Sequence, residues 1–94
     1  METVSLDSQV RVRADVLFQE LHGEAILLSL NTGVYFGLDP VGTRIWKLME
    51  DRDQSLRDVL NAMLDEYEVT AERCSDDLLK LIDRMLTNGL VEVN

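Results

Sequence analysis

Among residues able to act as bases, nucleophiles or metal ligands, the chain has one histidine, His22, and one cysteine, Cys74. A general base must lie within hydrogen-bond reach of the proton it takes. His22 stands in the turn-forming triplet His22-Gly23-Glu24, with no nucleophile near it in sequence, and turn polarity accounts for it. Cys74 falls within a helical apolar pattern, the place of a small buried thiol rather than a reactive one. The carboxylates Glu72, Asp76, Asp77 and Asp83 gather in the same segment as Lys80 and Arg84. Asp76, Lys80 and Arg84 follow at i, i+4 and i+8, the spacing of surface pairing along a helix. No metal-ligand cluster, phosphate-binding glycine loop or catalytic triad is present in the sequence. The expectation is a chain that is not an enzyme by itself, with no cofactor and no metal site.

Composition narrows the class further. Ninety-four residues suffice for one small domain with a single core. A hydrophobic content of 46% with one proline argues for a compact globule and against disorder. One cysteine excludes an internal disulfide and a cysteine-based zinc site, and fits a reducing compartment. Residues Met1 to Asp7 lack the basic and apolar regions of a signal peptide, and no apolar run is long enough to span a membrane. A soluble cytoplasmic protein with no membrane partner is expected. The net charge of -9, with Lys and Arg scattered among acids, argues against a nucleic-acid partner, which calls for a basic stripe facing phosphates.

The elements that position these residues are organised around Leu30-Asn31-Thr32-Gly33-Val34-Tyr35-Phe36-Gly37-Leu38-Asp39-Pro40. A short strand, Val34 to Leu38, enters through a turn at Asn31-Thr32-Gly33 and leaves into a helix start at Asp39-Pro40. Asp39 suits an N-cap, and Pro40 the first helical position, where its missing N–H is not needed. Val34, Phe36 and Leu38 share one face of the strand; Tyr35 and Gly37 share the other. Upstream, Asp15 to Leu21 sets Val16 and Phe18 on one face and Leu17 and Leu21 on the other. After the hairpin turn, Ala25 to Leu30 aligns Ile26, Leu28 and Leu30 on one face. These segments predict a three-stranded antiparallel meander whose third strand has a free edge. Gln9 to Arg13 alternates, and reads either as a short edge strand or as part of a loose N-terminal arm over residues 1–14, ahead of a domain over 15–94.

Three helices follow. The first, Pro40 to Glu50, is expected to turn Val41, Ile45, Leu48 and Met49 inward with Trp46 beside them, and to end in a polar loop at Asp51-Arg52-Asp53-Gln54. Ser55 caps a second helix, with Asp58 at the N3 place, bearing the stripe Leu56, Val59, Leu60, Met63, Leu64 and Tyr67. Thr70 caps a third, which ends near Asn88 with Gly89 as its C′ residue. Leu90 to Val93 forms a short terminal strand or tail. The third helix has two apolar seams: Cys74, Leu78, Leu81 and Met85, and Ser75, Leu79, Ile82 and Leu86. Either both are core, or the second lines a partly open groove. The fold class is α+β, winged helix-turn-helix-like: a three-stranded antiparallel sheet followed by three helices. A DNA-reading third helix would present Arg, Lys, Asn or Gln outward, where this one presents Glu72, Asp76, Asp77 and Asp83.

Leu30 to Leu38, Gly42-Thr43-Arg44-Ile45-Trp46-Lys47-Leu48-Met49, the Leu56 to Tyr67 helix and the ending Asn88-Gly89-Leu90-Val91 together resemble the pyrroloquinoline quinone biosynthesis protein D (PqqD) family. The resemblance covers about residues 15 to 93, and the Tyr-Phe-Gly-Leu strand looks especially like stand-alone members found with lasso-peptide systems. Glu50-Asp51-Arg52-Asp53 departs from it in lacking the Asp-Gly turn common after the first helix. The resemblance implies a peptide chaperone of ribosomally made, modified peptides. Such a protein binds the leader of a precursor peptide and presents it to a modifying enzyme, either a radical S-adenosylmethionine (radical SAM) protein or a leader peptidase. It also implies the place: the leader adds as a strand to Val34, Tyr35, Phe36, Gly37 and Leu38, under the third helix with Asp76, Leu79, Lys80 and Asp83. Two other classes stay open, an oligomerisation module pairing the same edge with a second copy as a homodimer, and a winged-helix DNA-binding regulator.

Overall fold

A computed structural model describes residues 4–51 and 54–93. The element order is β1 (Gln9–Val12), β2 (Val16–Leu21), β3 (Glu24–Ser29), β4 (Tyr35–Leu38), α1 (Pro40–Asp51), β5 (Gln54–Ser55), α2 (Leu56–Glu66), α3 (Ala71–Thr87) and β6 (Val91–Val93). The α+β class holds, with the expected meander in the order β2-β3-β4 and three helices after it.

Local chemistry accounts for the turns. His22 and Gly23 both take positive φ, 56° and 82°, as a two-residue hairpin turn of type I′ requires. At the second turn Gly33 takes φ 75°, and its N–H donates to the Ser29 carbonyl at 2.8 Å. The Ser29 hydroxyl, fully buried, accepts from the Thr32 N–H, and the Thr32 hydroxyl accepts from the Val34 N–H. All three expected caps form. Asp39 accepts from the Gly42 N–H at 2.7 Å, Ser55 from that of Asp58, and Thr70 from that of Arg73. Gly89, at φ 72°, closes α3 with two carbonyls of the last turn satisfied: its own N–H donates to Leu86, and that of Leu90 to Met85.

Gln9 to Arg13 departs from its reading as an edge strand. β1 is the middle strand of a second small sheet, β5-β1-β6, antiparallel to both neighbours. Val10 is 1% exposed, and the Leu56 N–H donates to the Ser8 carbonyl. The alternation in Gln9 to Arg13 hid this because the partners are only two and three residues long and lie more than forty residues downstream.

The core joins both sheets to the helices through Val10, Leu27, Trp46, Met49, Leu56, Met63, Leu78, Ile82, Met85 and Leu90. On β3 the inward residues are Ala25, Leu27 and Ser29, so Ile26 and Leu28 turn to the outer face; Leu17, Leu21, Ile26, Leu30 and Tyr35 are all exposed. On α1, Ile45, Trp46 and Met49 are buried as expected, whereas Val41 is 44% exposed. Val41 sits in the first turn, where it lines an open groove rather than the core. The expected polar loop is shortened by the extension of α1 to Asp51 and by β5, and Arg52 and Asp53 lie outside the described residues.

Candidate functional site

The free edge belongs to β4, and its hydrogen-bond pattern is fixed by the turns. In an antiparallel pair, alternate residues exchange both peptide hydrogen bonds with the partner strand, and those between point both groups away. The Ser29 N–H donates to the Val34 carbonyl at 3.0 Å, and the register pairs Leu27 with Phe36 and Ala25 with Leu38. Phe36 and Leu38 therefore bond inward to β3, and Tyr35 and Gly37 present N–H and C=O to the open side. The two-residue turn at His22-Gly23 demands the same phase, because it makes Glu24, Ile26 and Leu28 the partners of β2 and leaves Ala25 and Leu27 for β4. The outward donors of β4 are therefore Tyr35 and Gly37, and not Phe36.

Side chains on β4 divide accordingly. Phe36 and Leu38 are buried beneath the helices, Tyr35 is 71% exposed on the outer face, and a Cβ at Gly37 would meet nothing within 4 Å. Val34 lies just ahead of the strand, in the turn. Beside the Gly37–Leu38 end of β4 lies a groove of about 640 Å³, floored by Leu38, Ile45, Met63 and Leu78 and walled by α1, the α2–α3 connection and α3. Gly42, Val41, Tyr67 and Val69 shape one end.

On α3 the packing differs from either seam. Leu78, Ile82 and Met85, spaced i, i+4 and i+7, are buried. That docking turns Cys74, Asp77, Leu81 and Arg84 toward the groove. Three residues of the first seam, Cys74, Leu78 and Leu81, thus line it, and the second seam is divided between core (Ile82) and a 38% exposed Leu86. Of the helix positions implied by the resemblance, Lys80 lines the groove; Asp76 is exposed and pairs with Lys80 at 3.1 Å, Leu79 is half-buried against the core, and Asp83 is exposed. The sequence reading missed Arg73, Asp77, Leu81 and Arg84 as groove residues. Their i, i+4, i+8 and i+7 spacing from Arg73 and Asp77 held the signal, which emerges once Leu78 and Met85 define the buried stripe.

The electrostatics of the wall are mixed. Arg73 lies 3.7 Å from Asp77, and the Arg84 guanidinium carbon lies 5.1 Å from the centroid of the Phe36 ring, within cation–π range. Burial pushes the Cys74 thiol up from its ordinary value, with Asp77 adding to the shift, so it is protonated near neutrality. Next in sequence to the groove residues Ile45 and Tyr67, Arg44 of α1 holds Glu66 of α2 through three contacts of 2.8 to 3.1 Å, and these hold the Glu66 carboxyl below its usual range. His22 is in its turn on the far end of β2, and among the described residues no group of three or more His, Cys, Asp or Glu could hold a metal ion. No described helix is long and apolar enough to cross a membrane.

Comparison with known proteins agrees with this architecture. No curated protein sequence matches the chain. Among solved structures, TbiB1 in complex with the TbiA(beta) leader peptide matches at 33% identity and a TM-score of 0.81, over 87% of this chain and 94% of that one. The family profile for coenzyme PQQ synthesis protein D (PqqD) matches residues 24–91, from the start of β3 to the start of β6. The chain belongs to the PqqD family.

Proposed function

We propose that this protein binds the leader segment of a ribosomally made precursor peptide and presents the remainder to a modifying enzyme. The single observation that carries this reading is the coincidence of an open strand edge, Tyr35 and Gly37, with an apolar groove that opens beside its Gly37–Leu38 end. An unpaired edge binds any extended backbone, while adjacent pockets choose side chains. The likeness to a leader-bound structure supports the same assignment.

Tyr35 and Gly37 together offer two donors and two acceptors, hence four backbone hydrogen bonds at about 0.5–1.5 kcal/mol each. One or two apolar leader side chains sunk toward Leu38 and Leu81 add about 1.5–3 kcal/mol each. Ordering a flexible peptide removes several kcal/mol, which leaves micromolar to nanomolar affinity. That range suits a carrier that must also release.

The recognition domain is residues 15–94, with the 1–14 arm completing its core through Val10. Val34 to Leu38 supply the strand, and Lys80, with Asp76, Leu79 and Asp83 around it, conditions the helix side. The partner enzyme is a radical SAM protein or a leader peptidase, and the chain itself performs no chemistry. The exposed acids Glu72, Asp76, Asp77 and Asp83 on α3 oppose duplex DNA binding.

The test is nuclear magnetic resonance titration of the labelled protein with the leader of a precursor encoded beside it. Amide shifts should cluster at residues 34 to 38 and 73 to 86. Shifts confined to His22 to Glu24, with β4 silent, would falsify the placement. Light scattering at rising concentration addresses strand exchange between two copies, for which β4 would be consumed.

A further inference from the structure

We infer that the bound peptide carries a carboxylate side chain across from Phe36, and that Arg84 selects for it. This rests on the reading that a leader strand pairs with β4.

Although the chain has a net charge of -9, α3 presents Arg73, Lys80 and Arg84 to the groove. Two of these already have carboxylates, Asp77 and Asp76. Arg84 has neither an ion-pair nor a hydrogen-bond partner for its guanidinium among the described residues; its contact is the Phe36 ring at 5.1 Å. A guanidinium held against an aromatic ring keeps its donors in the plane of the group, where a carboxylate can meet two of them at once. The ring restricts the fork beforehand, so less side-chain freedom is lost on binding. Lys80, one helical turn away, is held by Asp76 at 3.1 Å, so Arg84 is the groove cation left to meet a peptide carboxylate.

Strand geometry then names the position. Phe36 bonds inward, so the peptide residue lying across from it projects its side chain to the same face, beneath α3, with Cβ atoms about 4.5–5.5 Å apart. A Glu or Asp there reaches the guanidinium. The next peptide residue on that face is two positions along and lies over Leu38, where the apolar floor calls for an apolar side chain. The recognised pattern is therefore an acidic and an apolar residue separated by one.

The probe is the leader of the precursor encoded beside this protein, scanned so that each residue in turn becomes Glu, Gln or Lys, with binding read by fluorescence anisotropy. At one position Glu should bind about three- to tenfold tighter than Gln, and Gln tighter than Lys. Arg84→Gln should abolish that preference and Arg84→Glu reverse it, while preferences elsewhere in the peptide persist. The wild-type Glu-to-Gln ratio should also shrink as salt approaches about 1 M, where screening acts over about 3 Å. If Arg84→Gln fails to fold, the salt response and Arg84→Lys, which keeps the charge and loses the fork, decide the matter. Peptides that bind with no Glu preference dependent on Arg84 overturn this inference alone. If no scanned peptide binds, the leader-binding reading falls too.

Discussion

Both outer strands of the meander end in a row of peptide groups without a strand partner among the described residues, yet the two edges are not equivalent. β2 is six residues long and β4 four, so length alone would favour β2 as a template for an incoming strand. No residue of β2 lines the groove, whereas Gly37 and Leu38 of β4 do. An edge supplies hydrogen bonds without preference, and water competes for them; the net gain per bond is small. What makes an edge a site is the apolar wall beside it. α3 provides that wall because its buried stripe rotates Cys74, Leu81 and Arg84 over β4 rather than over β2.

The largest effect expected on this comparison is structural. Phe36→Ala should destabilise the fold by about 3–5 kcal/mol in urea unfolding, since the ring is 8% exposed and capped by Arg84. A loss under 1 kcal/mol would mean that β4 is not packed as described.

Proline separates the edges more sharply. At Tyr35 it removes one outward donor and should weaken leader binding by about two- to tenfold, with the melting temperature little changed. Glu20→Pro on β2, whose N–H also points outward, should leave binding as it was, at the cost of an exposed ion pair with Lys47. Equal losses from both variants would break the distinction between the edges.

A smaller effect concerns the groove wall. Cys74 is half-buried and its thiol is held protonated, so iodoacetamide should modify it slowly at neutral pH. Saturating leader should slow the reaction further; an unchanged rate would place the peptide outside the groove.

The smallest effect is electrostatic. Glu66, next to the groove residue Tyr67, is held below its usual range by Arg44, and Asp15 just before β2 by Arg13. A carboxylate with a lowered folded value contributes stability above its ordinary value near about 4, and that contribution is lost as pH falls through the lowered one. Arg44→Gln and Arg13→Gln should each flatten the acid limb of a stability–pH curve slightly. Only the first should change the pH dependence of leader binding.

Much of the path to this site was legible in the residues themselves. Gly33, Asp39-Pro40, Ser55, Thr70 and Gly89 each act through local backbone chemistry, and each forms the turn or cap expected. The face assignments on β4 followed from a period of two. What escaped was set by long-range packing. Neither the docking rotation of α3 nor the outward turn of Val41 can be read from neighbours in sequence, whereas the phase of the β4 hydrogen bonds follows from the two-residue turn at His22-Gly23. The central place of β1 was hidden for the same reason.

That place has a consequence for how the chain comes together in time. The meander and its groove-side strand are complete in residues 16 to 38, with pairings that close over two-residue and short loops. β1 instead waits for residues some eighty positions later, because Val10, Arg11 and Val12 pair with Val93, Glu92 and Val91. Closing so long a loop is slow, and until the last strand arrives β1 has only its short pairing with β5. On a ribosome the recognition edge would be built while the first strand still lay open, and pulsed hydrogen exchange should find amides of β3 protected before those of β1.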